Sequence, residues 1–144
     1  MMRKNRLIEL IRKQKAIEDE VSKSIEVQLE KTNTAAGRLL MTEMKFDARK
    51  HAAILQGILD VIEKNDGVQL WDYKVDAYVD KLVVKRELEK HIMIEKDTLE
   101  MAKEEMRHTD DAGIKLLLQH IAEDEDRHHT LLRTIVNNSY KINA

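Results

Sequence analysis

A chain of 144 residues with a formal net charge of -2 is sized for one domain with a core of its own. The absence of cysteine excludes disulfides, thiolate metal ligands and cysteine nucleophiles, and the mixing of both charge signs leaves no cationic surface for nucleic acid. With no proline, four glycines, 36% charged and 42% hydrophobic residues, the composition fits long helices in water. The basic start at Met1 is followed by Leu7-Ile8-Glu9-Leu10-Ile11-Arg12, whose charges break the apolar run too early for a signal sequence. No segment is long enough to cross a bilayer, so a cytoplasmic protein without a membrane partner is expected.

Apolar residues recur every three or four positions, the period of helices laid against a core. The first helix is predicted from about Arg3 to Lys31, with Leu7, Ile11, Val21 and Ile25 inward. The second runs from about Thr34 to Lys64, capped by Asn33 or Thr34 and stopped by Asn65-Asp66-Gly67, with Leu40, Met44, Leu55, Ile58 and Ile62 inward. The third is expected from Asp72 or Val75 to His108, and the fourth, capped by Asp110 or Asp111, continues to about Asn137. Short connections make each pair an antiparallel hairpin, and the longest connection, from Asn65 to about Trp71, holds the single tryptophan. The expected fold is all-α: one antiparallel four-helix bundle over residues 1–144, built from two pseudo-symmetric hairpins joined by a crossover.

The symmetry follows from an internal repeat. A shift of 77 positions lays the first helix on the third and the second on the fourth without a gap. Ile17 and Glu18 fall on Ile94 and Glu95, Leu40 on Leu117, Asp47 on Asp124, His51 on His128, and Leu55 and Ile58 on Leu132 and Ile135. Polar residues interrupt the apolar stripes near their middles: Gln14 and Glu18; His51; His91, Glu95 and Thr98; Glu125 and His128. Buried carboxylates without partners cost several kcal/mol or neutralise, so converging carboxylates call for a cation.

Glu125-Asp126-Arg127-His128, within Ile121 to Leu132, resembles the fourth-helix motif of the rubrerythrin and ferritin-like superfamily, which places one Glu on each of two helices and Glu-x-x-His on the other two. The likeness spans about Leu7 to Val136. It implies a ferritin-like bundle with Glu18 and Glu95 as lone carboxylate ligands, Glu125 and His128 as a complete motif, and His51 as the histidine of the other. His91, one turn from Glu95, is either a further ligand or a hydrogen-bonded core histidine, and Glu20 is the rival of Glu18. Asp47 and Asp124 are implied to orient histidines on facing helices, while His120, Asp126 and His129 read as solvent-side.

One departure is serious: the second helix reads Ala48-Arg49-Lys50-His51, without the bridging carboxylate. Three carboxylates then face the four positive charges of two ferrous ions. The oxygen and nitrogen donors suit iron, two ions, and are also compatible with manganese or zinc. The resemblance implies a non-haem di-iron oxidoreductase or ferroxidase reacting with oxygen or peroxide, with a separate electron donor because no cysteine is present for a rubredoxin-type centre. A homo-oligomer is expected, with Trp71, Tyr73 and Tyr78 pinning the crossover or a subunit interface and the methionines filling cores. The competing reading, which Ala48 favours, is a helical protein with a degenerate or absent metal site that works through association. No glycine-rich phosphate loop and no nucleophile beside a base supports acyl or phosphoryl transfer.

Overall fold

A computed structural model describes residues 2–64, 70–72 and 80–139. Among the described residues there are four long helices and no strand: α1 (Met2–Lys31), α2 (Ala35–Lys64), α3 (Lys81–Arg107) and α4 (Ala112–Ser139), with a short 3-10 turn at Leu70–Asp72. None of these helices is long and apolar enough to cross a membrane. The chain divides into two compact units, Met1–Tyr73 with α1 packed on α2 and Lys74–Ala144 with α3 packed on α4.

In the first unit Thr34 caps α2, its hydroxyl accepting from the Gly37 amide at 3.1 Å while its carbonyl takes Arg38 N at 3.0 Å. A Cβ at Gly37 would come within 2.7 Å of that hydroxyl and 2.8 Å of Thr32 Cγ2, which explains the glycine. The C-terminal carbonyls of α1 are met by the guanidinium of Arg38, which donates to Leu29 O and Thr32 O, each at 3.3 Å. In the second unit Asp111 repeats the cap in the same 77-residue frame: its carboxylate accepts from Ile114 N at 2.9 Å and its carbonyl from Lys115 N at 3.0 Å. The shared frame therefore reproduces the turn as well as the apolar pattern.

The buried seam of the first unit is Ile11 and Ile25 on α1 with Ala48, Ala52, Leu55 and Leu59 on α2. Ile11, Leu55 and Leu59 form a cluster covered by Ile8, Ile58 and Ile62. Ion pairs cross between the two helices: Arg12 pairs with Glu63, and Glu26 with Lys45 at 2.8 Å and Arg49 at 3.1 Å. In the second unit the buried positions are Ala102, Ala122 and Val136. Ala102 and Val136 are the frame partners of the buried Ile25 and Leu59.

Three expectations are corrected. Helix α3 begins at Lys81 rather than at Asp72 or Val75, because Asp80 is extended and its carboxylate accepts from the amides of Leu82 and Val83, which fixes the first turn there. Leu7, Val21 and Met44, expected inward, are exposed, as are Ile114 and Ile121 on α4. Each helix has one close partner in its unit, so the heptad-spaced seam of Ile8, Ile11, Glu18 and Ile25 is covered, whereas the neighbouring stripe through Leu7 and Val21 is not. Met93 and Met101 are likewise exposed rather than core, and Met41 and Met106 are half-buried. Trp71 is exposed, and Tyr73, Tyr78 and Asn65-Asp66-Gly67 lie outside the described residues.

Candidate metal centre

The second unit brings three donors from two helices together. Glu95 stands on α3 in the seam with Leu88, Ile92, Leu99 and Ala102, and Glu125 and His128 stand one turn apart on α4. One donor atom from each of Glu95, Glu125 and His128 lies within 4.8 Å of the others. His128 Nδ1 is 3.7 Å from Glu95 Oε2, beyond an ordinary hydrogen bond. Two donors that each sit about 2.1 Å from a shared ion are at most about 4 Å apart, so the 3.7 Å between His128 Nδ1 and Glu95 Oε2 is short enough for a common cation. Glu95 Oε2 is also buried and without a hydrogen-bond partner, a state that costs free energy unless a cation meets it.

His91, one turn before Glu95, lies outside that trio but lines the same surface cavity of about 350 Å³, together with Glu95, His128, Leu131, Leu132 and Ile135. The cavity is thus donor-bearing on one side and aliphatic on the other.

The first unit carries the same geometry with fewer donors. His51 Nδ1 is 3.6 Å from Glu18 Oε1. The side chains are 49% and 19% exposed, against 47% and 22% for His128 and Glu95, so the repeated pairs match in spacing and in burial. Glu20 is exposed, and Glu18 is the carboxylate facing His51. Where the second unit has Glu125 the first has Ala48, only 3% exposed in the α1–α2 seam, and where it has His91 the first has Gln14.

Asp47 and Asp124 pair along their own helices, Asp47 with Lys50 at 3.0 Å and Asp124 with Arg127 and with His120 at 3.3 Å. Two readings from sequence change here. His120 is half-buried against Asp124 rather than solvent-side, a pairing that its spacing of four from Asp124 could have signalled. His129 is half-buried as well, because it occupies the frame position of the buried Ala52 and follows Glu125 by four residues along the seam. Asp126 is exposed as expected.

No protein-family model, curated protein or solved structure matches this chain. Carboxylate oxygen and imidazole nitrogen without sulfur suit iron, manganese or zinc. The orphaned Glu95 oxygen and the spacing of the three donors fit an ion of that kind.

Proposed function

We propose that the protein is a ferritin-like, rubrerythrin-like metal binder that holds iron, two ions, and acts as a non-haem oxidoreductase or ferroxidase toward oxygen or peroxide. The observation that carries this reading is the buried, unpartnered Oε2 of Glu95 within a trio completed by Glu125 and His128. The repeat of its histidine-carboxylate pair at Glu18 and His51 supports a second contribution of the same kind. In the proposed fold the two hairpins form one antiparallel, pseudo-symmetric four-helix bundle. Exposed apolar residues on both units, among them Leu7, Val21, Ile114 and Ile121, favour such covering and self-association.

Bound iron would supply electrons to oxygen or peroxide. The chain's own part is to hold the ions. Glu95, Glu125 and Glu18 offset positive charge, His128 and His51 fix ligand geometry, and Leu131, Leu132 and Ile135 line the cavity beside the second unit's donors. Electrons for repeated turnover come from a separate donor, because no cysteine is present for an additional iron-sulfur centre.

A second reading is favoured by Ala48 and by the half-exposed rings of His51 and His128: a helical protein with a degenerate site that functions through association. Adding ferrous iron to anaerobic protein and then admitting oxygen separates the two. Oxygen uptake faster than in a protein-free ferrous control is the expected result, and uptake equal to that control supports the second reading.

A further inference from the structure

We infer that the second unit by itself forms a complete site for one divalent transition-metal ion, so that the two positions of the proposed iron centre fill unequally. This rests on the metal-binding reading above and adds where the first ion binds.

The frame shift that lays Glu18 and His51 on Glu95 and His128 also lays Ala48 on Glu125 and Gln14 on His91. The first hairpin therefore offers one carboxylate and one imidazole. The second offers two carboxylates and an imidazole with their donor atoms within 4.8 Å, and a second imidazole, His91, at the adjoining cavity. Three protein ligands are what a catalytic ion with an open position requires, and two leave it weakly held. Charge points the same way. Glu95 and Glu125 together neutralise one divalent ion inside their own hairpin, whereas Glu18 alone leaves a net positive charge beside an apolar seam.

Glu95 Oε2, buried and without a hydrogen-bond partner, is a further sign, because its burial gives it no water in place of a cation. Glu95 and His128 of the trio also line the adjoining cavity, where His91 is the one further donor among the lining residues. An ion at this place needs nothing from Glu18 or His51.

The test titrates the full chain with cobalt(II), whose visible absorption reports ligand field and stoichiometry, with metal analysis after desalting. Glu18→Gln/His51→Gln is expected to keep one tightly bound ion and to lose only the more weakly held second one. Glu125→Gln/His128→Gln is expected to weaken that ion by about a hundredfold or more. Equal loss in both double variants would overturn the inference while leaving the metal reading standing, and a parent chain that binds neither cobalt nor iron would overturn both. Should the second-unit variant lose its helices by circular dichroism, the reverse graft decides. Gln14→His/Ala48→Glu rebuilds the second unit's donor set in the first and is expected to add a second tight ion; a stoichiometry that stays at one contradicts the inference.

Discussion

Glu95 on α3 and His128 on α4 face each other across one hairpin at 3.7 Å, and the carboxylate oxygen nearest the ring is buried with no hydrogen-bond partner. The same pair, Glu18 and His51, recurs at 3.6 Å in the other hairpin. Two imidazole-carboxylate contacts, both too long for a good hydrogen bond and both short enough for a shared ion, link the internal repeat of the sequence to a chemical expectation.

The missing carboxylate at Ala48 gives a prediction whose sign depends on metal. Ala48 is buried, so Ala48→Glu is expected to destabilise the protein in chelator by about 1–3 kcal/mol, the cost of a buried acceptor without a partner. With metal present it should raise occupancy and recover that loss. Thermal unfolding with chelator and with ferrous iron, beside metal analysis, checks both halves. An occupancy that does not change would show that α2 has been placed in the wrong frame.

The α1–α2 hairpin depends on a small core. Leu59 is 4% exposed in the cluster with Ile11 and Leu55, so Leu59→Ala is expected to cost about 2–4 kcal/mol in urea unfolding. Leu39, 56% exposed, should tolerate alanine within about 0.5 kcal/mol. Equal losses at the two positions would mean that the seam runs along a different face.

A pH effect is expected at the Glu26 cluster. The hydrogen bond and charge of the Lys45 ammonium, and next the Arg49 guanidinium, outweigh desolvation and hold the Glu26 carboxyl below its ordinary 4.5. The folded state therefore binds this proton less readily than the unfolded chain. The contribution is present above pH 4.5 and is lost as pH falls through the lower folded value. Glu26→Gln should flatten the decline of the urea midpoint below about pH 4.5, and a curve parallel to the parent's would remove this pair from the account.

The four helices and their pairing within each unit were legible in sequence because they are local. Thr34 and Asp111 are small polar residues just ahead of apolar periodicity, and both cap the helices they precede. Glu18, His51, Glu95 and His128 could be singled out because polar residues matched in the same frame as apolar ones, and Glu125 by its spacing of three from His128. The start of α3 was not legible: Val75 and Val79 continue the apolar pattern upstream, and only the Asp80 side chain's hold on two amides marks the first turn. Nor was the choice between adjacent stripes, since Leu7 and Ile8 differ by one position and the helical period alone does not say which meets a partner. His129 was missed for the same reason, its burial being visible only through the frame position of Ala52.

Metal analysis of protein purified without chelator reads directly whether Glu95, Glu125 and His128 hold an ion. The expected content is between about one and two equivalents per chain, lost in Glu125→Ala and much reduced in Glu95→Ala, both variants keeping their helical circular dichroism. Metal-free parent protein that stays so after incubation with ferrous iron, or a Glu125→Ala variant as fully loaded as the parent, would contradict binding by this trio.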